Sequence, residues 1–204
     1  TTNELSKYAK KYNMYIIFGM TEKDEAGTIK DNGVEKVYNS AAILYPNGKI
    51  DSYQKIHRAG QENKWSVTGK TPKIIETKWG KIGVDICRDG HFYPELGRYY
   101  AAMGCTMFVH PTATTGNAWY RSTRIGSYVD RDGMAAITCN LLGGDGIYVA
   151  DGAYTYSPDD IDENGDFVGG SAIPETIYNQ NEIEDTGIAE TGLEQVVYLT
   201  AQVL

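Results

Sequence analysis

The sequence predicts an α/β or α+β fold in which mixed sheets are flanked by helices. Three observations carry that prediction. Two hairpin signals lie between residues 38 and 86. A strand–helix–strand unit follows over residues 81–110. The 204 residues are 41% hydrophobic and 11% aromatic, the mixture of one globular domain with a sizeable core.

Taken in chain order, Asn3–Tyr12 carries Leu5, Tyr8 and Ala9 at helical spacing with lysines opposite, which predicts an amphipathic helix. Met14-Tyr15-Ile16-Ile17-Phe18-Gly19 is a continuous apolar run and predicts a buried strand. Residues 21–34 are polar, with an Asp31-Asn32-Gly33 turn signal, and predict a surface loop. The first hairpin joins Tyr38–Tyr45 to Ile50–Tyr53 through Pro46-Asn47-Gly48-Lys49. Asn-Gly between two strands is the strongest short hairpin cue. Lys55 lies just past the returning strand, and 56–70 reads as loop. The second hairpin joins Lys73–Thr77 to Lys81–Ile86 across Lys78-Trp79-Gly80, and Cys87 stands at its end. A helix is expected from Pro94 to Met103, stopped by Gly104. Cys105–His110 then predicts a buried strand ended by Pro111. Further on, the sequence predicts a helix over Trp119–Val129 and a strand over Met134–Asn140. Beyond Gly143 it predicts strand-like pieces near 147–156 and 166–173, a polar stretch over 176–192 and a closing strand over 194–204.

With 27 acidic and 19 basic residues the net charge is −8, which argues against a nucleic-acid partner. No apolar run approaches the ~20 residues needed to cross a bilayer, so no membrane partner is expected. The polar start, Thr1-Thr2-Asn3-Glu4-Leu5, has no signal-peptide pattern. Three cysteines, Cys87, Cys105 and Cys139, without a CxxC pair suit neither a disulfide framework nor a zinc site. A reducing cytoplasm is the simplest compartment.

The chemically informative segment runs from Gly83 to Glu95. A buried strand delivers Cys87 to a sharp turn, and a helix starts a few residues later. Such an elbow exposes a side chain and leaves backbone N–H groups around it, which suits a nucleophile beside an oxyanion hole. A nearby helix N-terminus also favours the thiolate. The other reading is a buried structural cysteine at a strand end.

Gly83-x-x-Ile86-Cys87 running into Tyr93-Pro94-Glu95, with Gly104 and Pro111 following in order, resembles the nucleophile signature of the nitrilase superfamily of carbon–nitrogen hydrolases. Tyr53-Gln54-Lys55-Ile56-His57, 32 positions before the cysteine, resembles that family's Tyr-x-Lys-x-His. Glu62, within Gln61–Gly69, resembles its second glutamate. Cys87-Arg88-Asp89-Gly90 looks closer to the amidase and formamidase branches than to the nitrile branch. The resemblance implies half of an α-β-β-α sandwich, with Cys87 as nucleophile, Lys55 as oxyanion stabiliser and Glu62 as its orienting partner. It further implies an oxyanion contact from the backbone N–H of Arg88, no metal and no cofactor. The expected reaction is hydrolysis of a small amide through a thioester.

The same resemblance implies a homodimer or higher homo-oligomer, paired through helices beside the nucleophile, with Tyr93, Tyr99 and Tyr100 as a candidate surface. His110, Trp119 and Tyr120 are candidate pocket residues, against core packing for the two aromatics and a hydrogen-bonded structural role for His110. Lys55 and Glu62 each have an alternative as a solvated surface charge. The family's general-base glutamate maps upstream of Thr1 and is not expected in this chain; Glu4 lies on the wrong element. Residues 1–204 are therefore expected to be a single carbon–nitrogen hydrolase domain missing its first strand and helix and further C-terminal elements. Asp130-Arg131-Asp132-Gly133 stands where the family usually has Glu-Asn. Two other functions follow from these departures: an inactive binding or scaffold domain, and a glutaminase or acyl-transfer domain of a larger enzyme.

Overall fold

The computed structural model describes residues 1–24, 30–31, 33–113, 132–140 and 146–148. The expected helix over 119–129 and the expected strands near 166–173 and 194–204 lie outside the described residues, as do Trp119 and Tyr120.

Helix α1 (Thr2–Lys11) carries Glu4 in its first turn and Lys10 and Lys11 in its last, signs that complement the helix dipole. It buries Ala9 and releases the chain at Asn13, which adopts φ 51°. Strand β1 (Ile16–Glu22) runs three residues past Gly19, because its polar end is still paired with the next long strand. The expected loop holds a minimal ladder of β2 (Lys30–Asp31) with β3 (Val34–Glu35). The Asn-Gly hairpin forms as predicted: β4 (Val37–Leu44) pairs with β5 (Ile50–Gln54) from Leu44↔Ile50 to Ser40↔Gln54. A 3-10 turn (Gly60–Lys64) and β6 (Ser66–Val67), parallel to the start of β4, organise the expected loop after Lys55.

The second hairpin is β7 (Lys73–Thr77) with β8 (Gly80–Val84). Two helices, α2 (Arg88–Phe92) and α3 (Pro94–Ala102), connect β8 to β9 (Cys105–Thr112), which is parallel to β8. Strand β10 (Ala135–Asn140) lies parallel to β9 on its other side, and β11 (Gly146–Tyr148) closes the order antiparallel to β10.

Two elements next to Cys87 also differ from expectation. Helix α2 follows Cys87 at once, where a polar turn was expected. Strand β9 continues through Pro111 to Thr112. Proline removes only a donor, and the Pro111 carbonyl still accepts the backbone N–H of Cys87 at 3.0 Å.

Among the described residues, β1-β4-β5 with β6 make one sheet and β11-β10-β9-β8-β7 the other. One apolar cluster joins them: Ala41, Ile43 and Tyr53 of the first sheet meet Ile75, Val84 and Phe108 of the second. Leu96 and Tyr100 of α3 complete it. Gly83 allows α3 to lie close, since a Cβ there would sit 2.5 Å from the Tyr100 ring. Tyr100 is fully buried and its hydroxyl donates to the Val84 carbonyl, so it belongs to the core rather than to an exposed aromatic surface; Tyr99 remains exposed. No helix among the described residues is long and apolar enough to cross a membrane.

Candidate active site

Cys87 has φ 51° and ψ −106°, a conformation that residues other than glycine rarely hold. Such strain costs on the order of 1–3 kcal/mol and persists only where the surroundings enforce it. Here the backbone is held from both sides. The Cys87 N–H donates to Pro111, and its carbonyl accepts the N–H groups of Gly90 and His91, each at 3.1 Å. The side chain is thereby presented, partly exposed, to a cleft of about 810 Å3.

Lys55 and Glu62 line the same cleft. Lys55 is 1% exposed, far from the solvated surface charge that was the alternative, and its Nζ lies 2.7 Å from Glu62 Oε1. A buried ammonium needs such a partner. Glu62 is held in turn, accepting from Asn39 Nδ2 at 3.1 Å and from the Ala59 N–H at 2.9 Å. Asn39 faces Lys55 because the hairpin register continues one pair beyond Ser40↔Gln54, with the Lys55 N–H donating to the Asn39 carbonyl at 2.8 Å.

Asp89 ties the lysine segment to the cysteine segment. It is fully buried. Its Oδ1 accepts the His57 backbone N–H at 2.8 Å and pairs with His57 Nδ1 at 2.9 Å. Its Oδ2 accepts the Tyr53 hydroxyl at 2.8 Å and the Ile86 N–H at 3.2 Å. Tyr53 and His57 flank Lys55, and Asp89 lies two residues after Cys87. Burial, and then the Asp89 charge, push the Tyr53 hydroxyl far above the usual phenol range, so it stays a donor.

Cys87, Lys55 and Glu62 are thus brought together. Arg88 opens α2, and the first N–H groups of a helix have no intrahelical acceptor. His110 corrects an expectation: it does not line the cleft but is fully buried, against Asp85 and 3.1 Å from His91. The hydrogen-bonded structural alternative is the geometry found, because β9 turns this side chain inward beneath the elbow. Sequence reasoning missed Asn39, which the hairpin register could have placed by counting back from Asn47-Gly48. It also missed Cys139, an exposed cysteine on the cleft wall, and the role of Asp89. The third cysteine, Cys105, is buried, and desolvation pushes its thiol pKa up.

A strained cysteine elbow thus faces a buried Lys–Glu pair across one cleft, on two sheets flanked by helices. The sequence profile described as "Carbon-nitrogen hydrolase" matches residues 1–175, and the chain belongs to that family. The chain is 30% identical over 168 residues to "Omega-amidase NIT2" of Homo sapiens, covering 76% of this chain and 58% of that protein. It is 32% identical over 143 residues to the Danio rerio protein of the same description, covering 64% of this chain and 48% of that one. The chain therefore spans about half the length of these relatives. Among solved structures, a NitN amidase from Neterenkonia sp. AN1 superposes with a TM-score of 0.63 at 21% identity, covering 74% of this chain and 61% of that one, and so shares the fold.

Proposed function

We propose that the protein hydrolyses the carbon–nitrogen bond of a small linear amide through a thioester on Cys87. The observation that carries this reading is the convergence, in one cleft, of the Cys87 elbow with the buried Lys55–Glu62 pair. The Cys87 sulfur adds to the amide carbon as the thiol proton leaves to a base. Lys55 Nζ and the Arg88 backbone N–H donate to the resulting oxyanion; one such donor is worth about 3–4 kcal/mol in comparable sites. Collapse breaks the carbon–nitrogen bond, the amine leaves with a proton, and water cleaves the thioester to return the thiol and a carboxylic acid. In the resemblance the base is a glutamate, and no described residue here is assigned that role.

The relatives named omega-amidases support an aliphatic amide as substrate. So does the solved structure of a mutant of the neighbouring amidase in complex with butyramide. A homo-oligomer and a cytoplasmic location that keeps Cys87 reduced belong to the same reading.

The test is incubation of the protein with butyramide, followed by mass spectrometry of the Cys87 peptide and assay of released ammonia. A butyryl adduct on Cys87, absent in Cys87→Ala, is the expected result. Adducts confined to Cys105 or Cys139 would rule the assignment out. Adduct formation without turnover would point instead to a binding role.

A further inference from the structure

Beneath the elbow lies a row of ionisable side chains that the proposed reaction does not use. Asp85 Oδ1 contacts His110 Nδ1, and His110 Nε2 lies 3.1 Å from His91 Nε2. His110 is fully buried, and Asp85 and His91 are each 2% exposed. The three side chains come from the three segments that grip Cys87: the residues just past β8, β9 and α2. Asp85 lies two residues before it. Pro111, next to His110, accepts the Cys87 N–H, and the backbone N–H of His91 donates to the Cys87 carbonyl. Gly90 makes room for the row, since a Cβ there would lie 2.6 Å from Asp85 Oδ2 and 2.9 Å from His110 Nδ1. Among the described residues, no three His, Cys, Asp or Glu side chains converge to hold a metal ion, so this is a chain of contacts rather than a coordination shell.

Against a carboxylate, which only accepts, His110 Nδ1 is the donor. The two imidazoles then meet Nε2 to Nε2 at 3.1 Å, a contact that takes one N–H donor and one lone pair.

We propose that Asp85, His110 and His91 are positioning residues that hold Cys87 in its strained conformation with its thiol facing the cleft. This rests on the hydrolase reading above. The row ties the segment just past β8 to β9 and α2 where the strain is held, which is the over-determination a strained residue requires.

The test is the rate of Cys87 alkylation by iodoacetamide in the intact protein, read by peptide mass spectrometry at one fixed pH, with the exposed Cys139 as the internal reference. The proteins compared are wild type, His91→Gln and His91→Phe. The glutamine amide can replace the Nε2 group as donor or acceptor, and the phenyl ring can do neither. His91→Gln should therefore react at close to the wild-type rate, and His91→Phe, folded by circular dichroism, about tenfold more slowly, the equivalent of about 1.4 kcal/mol. A folded His91→Phe that reacts at the wild-type rate overturns the inference, as does a His91→Gln that reacts as slowly as His91→Phe. If His91→Phe does not fold, His91→Leu takes its place with the same expectation. A wild-type Cys87 that does not alkylate at all sinks the hydrolase reading itself.

Discussion

Lys55 and Asp89 are both buried and charged, yet they answer to substitution differently. Lys55 makes one ion pair, and its partner Glu62 keeps two neutral donors, Asn39 and the Ala59 N–H, when the ammonium is removed. Lys55→Met should therefore remain folded while kcat on butyramide falls by about 10²–10³, the loss expected for one oxyanion donor. Unchanged turnover in a folded variant would exclude the oxyanion role. Asp89 accepts four hydrogen bonds, from Tyr53, Ile86 and both the backbone and ring nitrogens of His57. An amide NH2 in place of either oxygen would face donors with a donor. Asp89→Asn should lower stability by roughly 1–3 kcal/mol, the penalty for a buried donor left without its acceptor. It should also reduce kcat by about 100-fold through misplacement of Lys55 relative to Cys87. Urea denaturation and steady-state kinetics check the two halves, and a variant that loses stability with kcat intact would show that Asp89 has no positioning role.

The elements show which parts of this architecture are written locally. Both hairpins, the helix after Pro94 and the strand after Gly104 follow from short signals: Asn47-Gly48, Trp79-Gly80, an N1 proline and a C-terminal glycine. Cys87, Lys55 and Glu62 could be named because their motifs are contiguous in sequence. The clamp made by Asp89 and the row below the elbow could not be read in this way. Their partners lie 19 to 36 positions apart, and only sheet register and helix placement bring them together. Helix α2 was missed because its five residues include Gly90, a poor helix former that is retained where Asp85 and His110 press against it. Glycine also sets the spacing of α3 on the sheet. In Gly83→Ala the new methyl would meet the Tyr100 ring at 2.5 Å, with the Tyr100 hydroxyl anchored to Val84. The expected cost is about 1–3 kcal/mol of overpacking, measured as a lower urea midpoint. A wild-type midpoint would mean that α3 moves away from β8 without loss.

At the scale of the whole molecule, the site is divided between the two sheets. Lys55 follows β5 of the first, and Cys87 follows β8 of the second. Anything that holds the sheets in register therefore also holds the distance between ammonium and sulfur. Besides the shared apolar cluster, an ion pair crosses from sheet to sheet: Asp51 of β5 meets Lys73 of β7, with Lys49 on its other side at 3.0 Å. Burial works to raise the Asp51 pKa, but hydrogen bonds from Lys73 and Lys49 outweigh it and hold the carboxyl below its usual range. A carboxylate whose pKa is depressed in the folded state contributes stability above its unfolded pKa, and that contribution disappears as the pH falls through the folded value. Asp51→Asn should accordingly lower stability at pH 7 by about 1 kcal/mol or less, as befits a partly exposed pair. The difference from wild type should shrink as the pH is lowered through and below the ordinary carboxylate range, near pH 4. It should also shrink in high salt at neutral pH. Urea melts of both proteins along that pH series measure the difference directly. A gap that stays constant into acid would mean that Asp51 acts through packing alone and that the charge plays no part in joining the sheets.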